Sequence, residues 1–252
     1  MKFHTLVFLL LIVSPTAGAG KPNFVLPLSG SIGGGDAEYH VARWWRWVNK
    51  VPDGVRPYQD PTGQLCGLNQ TGDVWFLAGT DGTSSVRRSC TVPSGKYLFL
   101  PIIAVMANTS PTNRRSCDEL KKWVSINNDN NVTMKVVLDG IPIGKLDAMR
   151  VRTEKCFNAF ADALYVDKPE LYSPAASDGY WLFLRPLPEG EHTLVVEANY
   201  NSPDNELGDL RQQFQYRLRV EPERKSDDKK SKVNEILTVF HEATVKFDVR
   251  AE

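Results

Sequence analysis

Residues 180–198 read Y-W-L-F-L-R-P-L-P-E-G-E-H-T-L-V-V-E-A, and residues 211–220 read R-Q-Q-F-Q-Y-R-L-R-V. In the second stretch Phe214, Tyr216, Leu218 and Val220 alternate with polar residues, the period of two that puts every other side chain on one face of a strand. In the first, the apolar run 180–184 and the run 192–198 are separated by Pro188-Glu189-Gly190, a turn signal. Three strands joined by a turn and by the polar loop 199–209 make a β-meander the natural expectation. Earlier in the chain the same texture recurs. Short β-type runs cover residues 74–77, 89–92 and 97–103, separated by Asp81-Gly82 and by Pro93-Ser94-Gly95-Lys96, which read as hairpin turns. Residues 133–138 form a further strand closed by Asp139-Gly140, and residues 146–152 are a candidate for another.

Two helices interrupt this pattern. Asp36 is placed to cap a helix in which Ala37, Val41, Trp44, Trp45 and Val48 recur at helical spacing until Pro52. Ser116 and Glu119 form an S-x-x-E capping box ahead of Leu120, Trp123 and Val124. Residues 157–177, with Pro169 and Pro174, read as a long excursion. No βαβ alternation and no fixed-period repeat is visible, so the expected fold is mainly β: a disulfide-bonded β-sandwich, immunoglobulin-like or jelly-roll-like, with two short helices.

The start of the chain reads as a secretory leader. Lys2 precedes an eight-residue apolar run at 6–13, broken by Ser14-Pro15 before Ala17-Gly18-Ala19. That run is far short of the roughly 20 residues needed to span a bilayer, so no transmembrane segment is expected. The expected organisation is a signal peptide at 1–19, a flexible Gly- and Pro-rich lead-in at 20–35, the sandwich domain at 36–222, and a charged C-terminal extension at 223–252. A secreted or periplasmic location follows from this reading. The four cysteines, Cys66, Cys90, Cys117 and Cys156, are then expected in two disulfides. Of three pairings, Cys66 with Cys90 is preferred because both flank the expected hairpin, leaving Cys117 with Cys156. No C-x-x-C pair and no H-E-x-x-H occurs, so no metal or cofactor is expected.

Charge narrows the partners. Lys plus Arg and Asp plus Glu both number 30, which leaves no global field to hold nucleic acid. Nucleophilic catalysis lacks its signatures: there is no G-x-S-x-G, and Asp60-Pro61-Thr62-Gly63 has a proline inside the Asp-Thr-Gly of an aspartic protease and reads as a turn. A glycosidase needs two carboxylates roughly 5 to 9.5 Å apart. Asp36, Glu38, Asp139, Asp147 and Asp178 are candidates that spacing alone cannot pair.

The aromatics supply the binding candidates. Trp44, Trp45 and Trp47 lie mostly on the helix side shared with Val41 and Val48, which favours core packing, although Trp47 also belongs to the densest aromatic cluster in the chain. Trp75 and Trp181 sit in strands beside Phe76 and Phe183, and an outward-facing tryptophan there would stack on a sugar ring. Arg88, in the Arg87-Arg88 pair beside Cys90, could clamp a carboxylate or phosphate. The candidate ligand-binding residues are therefore Trp75, Trp181, Trp47 and Arg88. His40 falls on the apolar side of its helix and reads as a hydrogen-bonded core histidine.

Several segments taken together, A-R-W-W-R-W at 42–47, G-D-V-W-F-L-A-G at 72–79, R-S-C-T-V-P-S-G-K at 88–96, and D-G-Y-W-L-F-L with G-E-H-T-L at 178–194, resemble a group of uncharacterised secreted bacterial proteins over roughly residues 40–220. The resemblance implies bacterial export and a β-rich fold; it implies no activity. The reading favoured by the sequence is a binding or interaction module of the cell envelope, with a glycan or an envelope protein as partner. The alternatives are a secreted hydrolase acting on glycan or cell-wall material through paired carboxylates, and a structural or secretion-associated subunit.

Overall fold

The computed structural model describes residues 24–129, 132–200 and 210–223; the expected signal peptide and nearly all of the charged extension lie outside them. In chain order the elements are α1 (Ala37–Asn49), β1 (Val74–Phe76), β2 (Ser85–Pro93), β3 (Tyr97–Asn108), α2 (Cys117–Ser125), β4 (Val132–Leu138), β5 (Ile141–Pro142), β6 (Arg150–Arg152), β7 (Ala175–Leu184), β8 (Gly190–Tyr200) and β9 (Arg211–Glu221). They form two sheets, ordered β1-β3-β7-β6 and β2-β9-β8-β4-β5. The fold is a disulfide-bonded β-sandwich with α1 laid over the outer face of the first sheet.

All ten residues of β7 are buried, because both faces of this strand are covered. Leu182 and Leu184, with Leu98, Leu100 and Ile102 of β3, meet Leu194, Val196, Phe214, Tyr216 and Leu218 of the second sheet. On the opposite face Trp181 and Phe183, with Phe76 and Phe99, receive Val41, Trp44, Trp47 and Val48 of α1. Trp181 stacks on Phe99 at 5.2 Å between ring centroids, and Trp44 meets it edge-on at 5.4 Å, the two geometries that the charge distribution of an aromatic ring favours. The indole N–H of Trp44 donates to the Leu77 carbonyl at 2.9 Å, so the polar tip of this ring is satisfied inside the core.

Both helices start as their sequences dictate. The Asp36 carboxylate accepts from the Tyr39 amide at 2.7 Å, and Ser116 and Glu119 cap each other's backbone N–H. α2 buries Leu120 and Val124 against Ala176, with Val105 and Ala107 beside them, and so covers the far ends of β3 and β7.

The connections differ from the expected meander and hairpins. Residues 180–184 and 192–198 lie in different sheets: β7 pairs antiparallel with β3, whereas β8 pairs with β4 and β9. β1 and β2 also separate. β1 runs parallel to β3, and β2 runs parallel to β9 in the other sheet. The turn residues are real, with Gly82 and Gly95 at positive φ, but they pass the chain between sheets. The bridges are Cys66–Cys90 and Cys117–Cys156. The first is the preferred pairing for a different reason, since it ties the loop after α1 to a sheet-edge strand and closes no hairpin. Residues 24–26, expected as flexible lead-in, instead run beside the end of β7, where Leu26 N–H donates to the Phe183 carbonyl at 2.8 Å and Leu26 enters the core.

His40 is fully buried on α1 between Phe99 and Phe183. Its Nε2 sits 2.6 Å from the Ile32 carbonyl, which fixes Nε2 as the protonated nitrogen, and Nδ1 has no partner. Burial leads in lowering its pKa below the ordinary 6.5, with the Arg43 charge adding to the effect, against the raising influence of the bond to Ile32.

Two outcomes follow from this packing. Replacing Trp181 by alanine removes a ring packed on both α1 and Phe99 and should cost about 3–5 kcal/mol in chemical denaturation; a loss under about 1 kcal/mol would mean that the ring is not part of the core. His40 binds its proton less readily in the folded chain than in the unfolded one, where it titrates at its ordinary value. The His40 contribution to stability is therefore full above pH 6.5 and falls as pH drops below it, by up to about 1.4 kcal/mol per pH unit. His40→Asn should flatten that slope below pH 6.5, whatever it does to stability at pH 8; an unchanged slope refutes the assignment.

Candidate binding groove

Three of the four binding candidates are structural members of the interior. Trp181 is 0% exposed. Trp47 is buried, and its indole N–H donates to the Leu68 carbonyl at 2.7 Å. Arg88 is 2% exposed. It donates to the carbonyls of Tyr58 (3.0 Å), Asp60 (2.6 Å), Ala78 (2.9 Å) and Gly79 (2.6 Å) and to the Tyr216 hydroxyl (3.0 Å). This guanidinium clamps two stretches of chain onto β9 and leaves no fork for an anion. Trp75 is half-buried against the inter-sheet core, and its Nε1, out of contact with solvent, has no partner. The alternation expected to turn one tryptophan outward fails because α1 and the second sheet cover opposite faces of the strands that carry them.

Asp60-Pro61-Thr62-Gly63 is a turn. The Asp60 carboxylate accepts from the backbone N–H of Thr62 (2.8 Å), Gly63 (3.0 Å) and Leu65 (2.7 Å). Burial alone would raise its pKa; these donors outweigh burial and bring it below the usual value. Gly63 has φ +92°, and a Cβ there would lie 2.3 Å from the Ser89 carbonyl, so the turn tolerates only glycine.

The acids named as catalytic candidates are dispersed. Asp36 caps α1, and Glu38 accepts from the Lys155 amide at 2.8 Å. Asp147 lies in a 3-10 turn (Leu146–Met149). Asp139 accepts from the Thr193 amide and contacts His192 at 2.7 Å. Asp178, buried in β7, is held by Arg150 through both carboxylate oxygens, at 2.9 and 2.7 Å, and by Arg152 at 3.2 Å; Asp129 joins both arginines from the outer side. This is a charge-neutral quartet in which a guanidinium fork matches a carboxylate. The carboxylates whose pKa shifts, Asp60, Asp81, Glu119 and Asp129, all shift downward. For Asp60 and Asp129 burial opposes the shift and is outweighed by donated hydrogen bonds; for Asp81 and Glu119 the backbone N–H of Thr83 and of Ser116 leads.

A groove of about 430 Å³ lies where the strand next to β3 stops short. β1 pairs only with residues 97–99 of β3, whereas β7 pairs with β3 as far as Asn108. Leu77 N–H still bonds the Phe99 carbonyl at 3.0 Å, and then the chain leaves toward Gln212, whose amide holds Thr80 through its backbone N–H and C=O. The vacated space is walled by Trp44 and Trp45 of α1 on one side and by Leu210 and Gln212 on the other, with Trp123 of α2 and Ala104 to Met106 of β3 also lining it. Its charged side chains are Asp53 and Asp81. Asp53 is paired with Arg56 at 3.6 Å; Asp81 accepts from the Thr83 amide and hydroxyl and is an anion at neutral pH. Beyond Arg56, which also reaches the Tyr165 hydroxyl at 3.4 Å, Leu164 stands 91% exposed.

Sequence reading passed over Trp45 and Trp123 as binding residues by assigning both to apolar helix faces. A signal was present. Trp44 and Trp45 are consecutive and so project about 100° apart on a helix; only one can point at the sheet, and the other must sit on the shoulder of the helix, where the groove begins.

Arg150→Met removes the bidentate partner of a buried carboxylate and should cost about 3–5 kcal/mol, while Arg152→Met, at a half-exposed position, should cost less than about 1 kcal/mol. Denaturant titration of the two variants decides this; equal costs would mean that Asp178 does not depend on the fork.

No protein family matches the chain, and no curated protein matches it in sequence. Among solved structures it is weakly similar to the solution structure of amebosin, with 11% identity, 60% of this chain and 100% of that chain covered, and a TM-score of 0.24. A cysteine protease inhibitor, EhICP2, from Entamoeba histolytica gives 9% identity, 59% and 96% coverage and a TM-score of 0.21. Likeness at this level carries no argument about what the protein does.

Proposed function

We propose that the protein is an exported binding module and that the groove beside β3 is its site. The observation that carries this reading is the groove itself: partly exposed Trp45, Trp123 and Met106 next to Asp53 and Asp81, in the space left where β1 ends. Ligand sites are concave, mostly apolar, and carry a few placed polar groups. Two disulfides suit an oxidising compartment, and no helix among the described residues is long and apolar enough to cross a membrane. Tryptophan faces accept sugar rings as well as apolar side chains, and either would lie against Trp45 and Trp123 in this groove. Hydrolysis by paired carboxylates draws no support from the groove acids, since Asp81 is shifted away from the protonated form that a general acid needs.

Residues 20–252 should be titrated against cell-wall glycans, surface glycans and extended peptides, with bound ligand and product mass both read. Binding without a mass change, weakened at least about tenfold by Trp123→Ala at a stability cost under about 2 kcal/mol, is the expected result. A cleaved product, or binding indifferent to Trp123→Ala, overturns it.

A further inference from the structure

The outer edge of β3 is an open strand edge. Ser177 of β7 directs both backbone groups away from β3, its carbonyl accepting from Thr153 N–H at 3.0 Å and its N–H donating to the Thr153 hydroxyl at 2.9 Å. Ala175 likewise exchanges both bonds with Phe157, at 2.9 and 2.7 Å. In an antiparallel pair, a residue opposite one that turns its N–H and C=O outward turns its own outward on the other side. Met106 stands opposite Ser177, and Asn108 opposite Ala175. Both therefore present N–H and C=O to the side away from β7, and Ala104, two residues before Met106, does the same by alternation. Among the described residues nothing pairs with these groups, and all three residues are only partly buried.

The walls fit the space of one more strand. Ala104 and Met106 face the α1 side, Met106 packing near Trp45, while Val105 and Ala107 face α2 near Trp123. A chain lying beside β3 would put alternate side chains toward Trp45 and toward Trp123, at a strand's period of two. Of the two acids that line the groove, Asp53 is paired with Arg56 and Asp81, held by Thr83, remains an anion, and tryptophan faces attract cations. We propose, resting on the groove being the binding site, that its ligand is an extended polypeptide segment carrying lysine or arginine among apolar residues, which adds as a strand to the Ala104–Met106–Asn108 edge of β3. Strand addition takes its affinity from main-chain hydrogen bonds and its specificity from pockets for alternate side chains. The edge spans five residues, about 14–17 Å.

The probes are decapeptides of alternating valine and lysine, the valine–glutamate counterpart, and two versions of the lysine peptide N-methylated on every valine or on every lysine. The lysine peptide should bind the full chain at least about tenfold more tightly than the glutamate one. One N-methylation register should lose binding about tenfold or more and the other should keep it, because only alternate N–H groups face β3. Met106→Pro and Asn108→Pro each remove an outward N–H that the β3–β7 ladder does not use and should weaken binding. If the proline variants fail to fold, the N-methyl pair still decides. Equal sensitivity to both registers, a preference for the glutamate peptide, or no peptide binding overturns strand addition. Glycan binding that is lost in Trp123→Ala, without peptide binding, would keep the groove and refute the peptide. Peptide binding indifferent to Trp123→Ala, or self-association through this edge in place of peptide capture, counts against both.

Discussion

The stacking of Trp181 on Phe99, with Trp44 set edge-on against it, is the contact on which the architecture depends. It joins α1, β3 and β7 at one point and makes β7 an interior strand with no solvent face. Burying large aromatic faces is the dominant favourable term in a core of this kind. The second sheet, with polar side chains outward on β9, can then remain one-sided. Removing α1 would expose Phe76, Phe99, Trp181 and Phe183 as one contiguous apolar surface.

This layering explains what the sequence made legible. The period-two pattern at 211–220 identified a half-buried strand, and β9 is one. Both helix starts were readable, because capping is a local matter between a side chain and the next few backbone N–H groups. The continuous run at 180–184 carried a second message: a strand without polar alternation is covered on both faces. A meander would set it beside residues 192–198, whereas Pro186 and Pro188 carry the chain across to the other sheet. Turn residues report that the chain reverses; they do not report which sheet receives it.

The groove was less legible than the fold, for a related physical reason. Trp47, Trp75, Trp181 and Arg88 stood out because large or charged side chains in strands and helices suggest recognition. Those same types also fill three-layer cores, and Arg88 is satisfied by carbonyls from residues 58–60 and 78–79 that no local pattern brings together. What forms the groove is an absence of pairing: β1 is three residues long and β3 is twelve. A mismatch in strand length is a property of two distant segments, and it leaves no mark in the composition of either.

The parallel pairing of β2 with β9 sets a further condition, in kinetic terms. Ser85 lies beside Gln213 and Pro93 beside Glu221, so one edge of the second sheet joins segments separated by most of the domain. Closing so long a loop is entropically unfavourable before any contact rewards it. Sheets built from such distant partners fold slowly. During synthesis β2 emerges far ahead of the strand it pairs with, and the second sheet closes only after β9 has been delivered.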